Sequence, residues 1–359
     1  MLPLSVCILA CNEQKYIGDA ILSIRPYVQE IIVLDTGSVD DTVGVARELG
    51  ATVYSYNWAD DFSLARNQLI SHATQSTILM LDADERYQGT SEDIIDYILN
   101  GKDRVGRIKI MNDQDSEIVE TYIARIFPNN GDFIYSGSIH EQLICLSGGL
   151  NYYQTTLTVR HIGYQQSVLQ EKDKISRNLT LLKKQLNNSP EDPYIHFQIG
   201  RCFYVNKQYE EAIVYFSFVI KTLEGESVKP IYESSVYLQL GYSLLQLRKW
   251  NEFDDFFDLA IQKNPEYTDL YFMYGVSIIE GKRISLFSKI PDIFSYCLKL
   301  GDPNSQKYET VRGVGSFRAM YNLGLFFEIT GQMAQAESYY AQSAQYGFVL
   351  AKQRLKQLR

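Results

Sequence analysis

Short runs of branched apolar residues at 4–10 (LSVCILA) and 31–35 (IIVLD) read as buried strands, and between them Tyr16, Ile17, Ala20, Ile21 and Ile24 fall on one face of a helix. The pattern is β-α-β. A second helical stretch opens at Asp40-Asp41-Thr42, runs through Val43, Val45, Ala46 and Leu49 and stops at Gly50, and the alternating segment 51–56 (ATVYSY) follows as a strand. A helix over residues 62–73 and a fourth strand entering TILMLDADE (77–85) continue the alternation. Together they predict an α/β domain with a mostly parallel sheet covered by helices on both faces. Ligands of such sheets sit at the carboxyl ends of the strands, where Asn12, Asp35 and Asp82–Asp84 fall.

Past residue 170 the strand signals stop and long helical patterns take over. Ile199-Gly200, Leu240-Gly241 and Leu323-Gly324 each stand twelve residues before Ala212, Phe253 or Ala336, with an aromatic four further on (Phe216, Phe257, Tyr340). This pattern resembles the tetratricopeptide repeat, a helix-turn-helix of about 34 residues in which small residues let paired helices approach closely. A copy around residues 271–275 is degenerate. The expected organisation is an α/β domain at 1–166 and an all-α repeat domain at 170–359, in line with the roughly 150 residues of a typical domain and the 359 residues present.

Charge narrows the partners. Residues 1–170 hold 11 Lys and Arg against 22 Asp and Glu, whereas the remainder holds 23 against 21. An N-terminal half that acidic repels phosphates unless a bound cation inverts the local field, so nucleic acid is disfavoured as a partner. Five cysteines with no C-x-x-C suggest neither a disulfide framework nor a zinc cage and fit a reducing cytoplasm; Cys7, Cys145, Cys202 and Cys297 stand among apolar neighbours and read as small core residues. The first residues lack a basic region and read as a strand rather than a signal peptide, and no apolar run approaches the ~18 residues of a transmembrane helix.

The strongest chemical signal is Asp82-Ala83-Asp84 at the end of an apolar strand. On a strand, positions i and i+2 share a side, so Asp82 and Asp84 aim two carboxylates at one point suited to Mg²⁺ or Mn²⁺ and a diphosphate, against the plainer reading of a helix N-cap or turn. The competing chemistries lack their residues: Glu85-Arg86 stands where an aspartyl phosphatase normally has Thr or Val, and neither G-x-G-x-x-G nor a P-loop occurs.

Ala10-Cys11-Asn12-Glu13, then EIIVLDTGSVDDT (30–42), Ala65-Arg66-Asn67 and LDADE (81–85) resemble, in order, the motifs of family 2 glycosyltransferases of the GT-A fold over about residues 4–165. With repeats behind it, the chain is further similar to bacterial peptide glycosyltransferases that make glycosylated bacteriocins, and less closely to lipopolysaccharide-core transferases. The resemblance implies that Ala10, Asn12, Glu13, Asp35, Arg66 and Asp82 bind a nucleotide-diphosphate sugar. It implies a metal, Mn²⁺ or Mg²⁺, on Asp84 with Asp82, and a general base at Glu141, in the place where relatives carry an acid. His161 would complete the coordination or bond the diphosphate, or is a structural histidine. Asp35 accepts from uracil or ribose, or caps the following turn. Arg66 faces phosphate, or pairs with Asp60 and Asp61. The expected activity is inverting, metal-dependent transfer of a hexose, with UDP-glucose as donor, to a peptide side chain, with cysteine sulfur ahead of serine. A cell-surface polysaccharide or lipopolysaccharide-core transferase and an inactive repeat scaffold are the alternatives. The repeats would hold the peptide by shape, with exposed tyrosines as anchors, or form a homodimer interface.

Overall fold

A computed structural model describes residues 1–114, 117–162, 168–226, 230, 232–304 and 307–358. The chain divides into two compact units, Met1–Ser189 and Pro190–Arg359.

The first unit alternates as its sequence predicts: β1 (Leu2–Ala10), α1 (Ile17–Ile24), β2 (Val28–Asp35), α2 (Thr42–Glu48), β3 (Thr52–Ser55), α3 (Phe62–Ile70) and β4 (Thr77–Asp82). Then come β5 (Glu85–Tyr87), α4 (Ser91–Asp96), β6 (Val105–Gln114), β7 (Glu117–Pro128), β8 (Phe133–Ser136), β9 (Gln142–Cys145), β10 (Tyr152–His161) and α5 (Val168–Asn188). Eight strands form one sheet in the order β3-β2-β1-β4-β7-β6-β10-β5, and β8 and β9 form a separate hairpin. The β3-β2-β1-β4 half is parallel, as is β6 with β10, while β7 runs antiparallel to both its neighbours and β5 antiparallel to β10.

Strand alternation explains why both faces are covered. Leu4, Val6 and Ile8 of β1, with Ile31 and Val33 of β2, pack under Ile17, Ala20, Ile21 and Ile24 of α1. Cys7, Ile32 and Leu34 point the other way, to Ala65 and Leu69 of α3 and to Phe133 and Tyr135 of β8. Strands β1, β2 and β4 are therefore apolar on both sides, and their carboxyl ends open into one row of loops.

The unit boundary falls later than the expected 166–170, because α5 belongs to the first unit. Its Arg177 guanidinium lies 5.6 Å from the ring centroid of Phe62 in α3, its Gln185 meets Ser138 after β8, and Leu182 is fully buried. The amphipathic pattern of α5 looks like that of the repeat helices, so sequence alone grouped it with them.

The regular elements of the second unit among the described residues are helices: α6 (Pro193–Val205), α7 (Tyr209–Leu223), α8 (Glu233–Gln246), α9 (Trp250–Lys263), α10 (Thr268–Glu280), α11 (Ile290–Leu300), α12 (Phe317–Ile329), α13 (Met333–Gln345) and α14 (Val349–Leu358). The glycines of the repeat pattern sit where helices meet. A Cβ on Gly200 would stand 2.6 Å from the Phe216 ring, and one on Gly324 would stand 2.5 Å from Tyr340. The degenerate copy uses the same contact, with Gly275 against Phe294, but a 3-10 turn at Ile284–Lys289 lengthens the spacing. Most tyrosines of this unit are packed between helices, as Tyr274 is on Phe257 at 4.2 Å between ring centroids. Among its described residues only Tyr296 and Tyr346 are exposed, so the expected set of tyrosine anchors reduces to these two.

Candidate active site

The loops after β1 and β2 are laced together. Asn12 takes a positive φ of 59° at the end of β1, its N–H donates to Ser38 Oγ at 2.8 Å, and its side-chain oxygen accepts from the Val39 N–H at 2.8 Å. The Glu13 N–H donates to Thr42 Oγ1 at 2.7 Å, and the Ala10 carbonyl accepts from the Thr36 N–H. Asp35 is buried and accepts from the Gly37 and Ser38 N–H groups at 3.2 Å, so it caps the turn that carries Ser38. Ala10, Asn12, Glu13 and Asp35 thus line one edge of the site through an ordered pair of loops.

The two aspartates of D-x-D part company. Strand β4 ends at Asp82, and Ala83-Asp84 form a turn before β5, so the period-2 alternation that would aim both carboxylates at one point is broken. Asp82 turns to two arginines, the buried Arg66 and the part-buried Arg125: Arg66 Nη2 donates to Oδ1 at 3.0 Å, and Arg125 donates to Oδ1 at 3.1 Å and to Oδ2 at 2.6 Å. Burial opposes ionisation of Asp82, but Arg125 and then Arg66 outweigh it and hold its carboxyl well below the usual carboxylate range. Asp84 instead faces His161, whose Nε2 lies 3.0 Å from Oδ2 and whose Nδ1 lies 3.0 Å from Asn112 Oδ1. Register produces this meeting, since His161 of β10 stands opposite Glu85 of β5 and beside Asn112 of β6. The hydrogen bond that Asp84 accepts from the imidazole raises the His161 pKa.

Glu141 follows the β8 strand through Gly137 (φ 101°) and His140 (φ 50°), backbone conformations that turn the chain back toward the sheet. Its Oε1 accepts from Arg66 Nε, and the two side chains are 12 % and 10 % exposed. Arg66 therefore pairs with Asp82 and Glu141 rather than with Asp60 or Asp61. Asp61 is the N-cap of α3, accepting from the Leu64 N–H at 3.0 Å, and Asp60 accepts from the Trp58 indole. Helix α3 is pinned to β8 by Asn67, whose amide accepts from the Tyr135 N–H at 2.7 Å and donates to its carbonyl at 2.9 Å.

Three neighbours were not singled out from the sequence. Arg125 anchors Asp82, Glu85 accepts from the Asp82 N–H at 2.8 Å, and burial raises the Glu85 pKa. Tyr135 lies under Arg66, 5.5 Å from guanidinium carbon to ring centroid. The available signal was an arginine inside an otherwise apolar strand, Ile123-Ala124-Arg125-Ile126-Phe127. Arg66 Nη1 and the Tyr135 hydroxyl are buried and without a hydrogen-bond partner.

Among the described residues no three His, Cys, Asp or Glu side chains converge as a ready-made metal cage. The donor set still fits a hard divalent ion. Mg²⁺ and Mn²⁺ take oxygen ligands, and Mg²⁺ binds through one or two carboxylates with water and substrate phosphates completing its shell. Asp84 supplies one such carboxylate, with the imidazole nitrogen of His161 beside it, whereas both oxygens of Asp82 are committed to arginine.

Residues 5–158 match the family model described as Glycosyl transferase family 2. This segment is a family 2 glycosyltransferase domain. The chain is similar to a TPR repeat-containing protein of Synechococcus elongatus, 31 % identical over 209 residues that cover 56 % of this chain and 52 % of that protein. It is also similar to the SPbeta prophage-derived glycosyltransferase SunS of Bacillus subtilis, 29 % identical over 298 residues covering 79 % of this chain and 69 % of SunS. It thus spans about half the length of the cyanobacterial relative. Among solved structures, MamA aligns at a TM-score of 0.39 and 16 % identity, over 49 % of this chain and 90 % of MamA. No described helix is long and apolar enough to cross a membrane.

Proposed function

We propose that the glycosyltransferase domain moves a hexose from UDP-glucose, with inversion, to a side chain of a peptide, cysteine sulfur first. The observations that carry the reading are two side-chain groups within a family 2 domain: Asp84 bonded to His161 after β4, and Arg66 joining Asp82 to Glu141. Asn12, Glu13 and Asp35 receive the nucleotide, and Asp82 meets the donor beside them. Asp84 and His161 would hold Mn²⁺ or Mg²⁺, which would neutralise the leaving diphosphate in this acidic half of the chain. Glu141 takes the proton of the acceptor while the acceptor atom bonds to the anomeric carbon and the bond to the diphosphate oxygen breaks, releasing UDP. The peptide acceptor is supported by the helical unit and by similarity to SunS.

The test is incubation with UDP-glucose and cysteine-containing peptides, with and without chelator, read by mass spectrometry. A mass gain of one or more hexoses that disappears on chelation and in Asp84→Ala supports the reading. Equal turnover in chelator removes the metal from it, and transfer only to glycan acceptors replaces the peptide.

A further inference from the structure

Arg66 has a place in the site that its expected contact with phosphate does not explain. Its Nε and Nη2 are both spent, on Glu141 and on Asp82. Asp82 does not depend on Arg66 for its orientation, because Arg125 grips both of its oxygens. Glu141 does: Arg66 is its one cationic partner among the described residues. The frame around this contact is stitched on both sides, by the Phe62 N–H donating to the Ser138 carbonyl at 2.8 Å and by Asn67 on the Tyr135 backbone. Helix α3 and the loop that carries Glu141 therefore move together. A guanidinium presents its donors in a fixed planar fork, so it sets the direction of a carboxylate as well as its charge.

We propose that Arg66 is the positioning residue of Glu141, holding its carboxylate toward the acceptor side and tying it to Asp82, whose own place is fixed by Arg125. The inference rests on Glu141 being the base. Arg66 touches no reacting atom in this role and acts through Glu141.

A double-mutant cycle in the full chain tests it, with Arg66→Gln, Glu141→Gln and the double variant compared for UDP release from UDP-glucose and for UDP affinity by calorimetry. Each single change is expected to lower kcat by about 10²-fold or more with donor KM altered less than about threefold, as for loss of a group needed in the transition state. The double variant is expected to be no slower than the slower single, since residues acting as a unit are not additive. Arg66→Lys, which keeps the charge but cannot span both carboxylates, is expected to recover part of kcat, and it carries the cycle if Arg66→Gln does not fold. Losses that multiply overturn the inference alone, as does a raised donor KM with kcat kept, which would return Arg66 to the diphosphate through Nη1. Wild-type turnover of Glu141→Gln overturns the base reading and the inference with it.

Discussion

Asp82 and Asp84 stand two residues apart and do different work. Asp82, whose side chain is 33 % exposed, accepts from both Arg66 and Arg125, so Asp82→Asn would leave two enclosed guanidinium groups with one carboxylate fewer, at a cost of about 1.5–3 kcal/mol for the lost charged hydrogen bonds. Asp84 has one ionisable partner among the described residues, the part-exposed imidazole of His161, so Asp84→Asn should cost about 1 kcal/mol or less. Thermal unfolding should therefore show a large fall in Tm for the first change and a small one for the second. UDP binding should show the reverse emphasis, with Asp84→Asn losing the gain that Mn²⁺ gives. A large fall in Tm from Asp84→Asn, with Mn²⁺-dependent binding intact, would exchange the two roles. The sequence could place both carboxylates at a strand end but not separate them, because the turn at Ala83-Asp84 and the arginine that captures Asp82 from β7 are set by tertiary pairing.

At the level of elements, β1, β2 and β4 were legible because buried parallel strands and amphipathic helices write strong patterns, and β3, the exposed edge strand, through its alternation. The β6-β7-β10 part of the sheet was not: its strands carry charged residues between apolar ones, and their pairing depends on long-range register. The repeat helices were legible through glycines, and there packing outweighs intrinsic propensity. Alanine is about 1 kcal/mol better than glycine in a helix, but Gly200→Ala and Gly324→Ala would press a methyl into fully buried rings at 2.6 and 2.5 Å, an overpacking that costs about 1–3 kcal/mol. Both should lower Tm, while Gly225→Ala, with open space around it, should not. The second unit also carries a buried acid. Asp269 of α10 accepts from Thr310 Oγ1 at 2.6 Å and the Val311 N–H at 2.8 Å, yet burial pushes its carboxyl up to about 7. Since the unfolded carboxyl titrates near ~3.9, the native state is most favoured below that value and loses stability as pH rises towards about 7, by roughly 4 kcal/mol in all. Wild-type Tm should fall between about pH 4 and 7 more steeply than that of Asp269→Asn, which removes the charge; parallel curves would clear Asp269 of the effect.

Across the whole molecule, the position of α5 decides what counts as the transferase. The family match ends at residue 158, but Gln185 of α5 accepts from Ser138 Oγ at 3.3 Å and lies against Gly137, in the loop that leads to Glu141, and Arg177 covers Phe62 at the start of α3. These are the two elements that Arg66 and Glu141 join. A fragment ending at residue 166 should therefore expose the surface that buries Leu181 and Leu182 and leave the Glu141 loop unsupported, whereas Met1–Ser189 retains the complete unit. The expected result is that Met1–Ser189 is monodisperse, binds UDP with Mn²⁺ and hydrolyses UDP-glucose within about tenfold of the full chain, while the shorter fragment aggregates or loses turnover by about 10²-fold. If the helical unit recognises the acceptor, Met1–Ser189 should keep hydrolysis and lose transfer to peptide. Equal activity of the 1–166 fragment would return α5 to the repeats, and transfer to peptide by Met1–Ser189 at the full-chain rate would remove the helical unit from acceptor recognition.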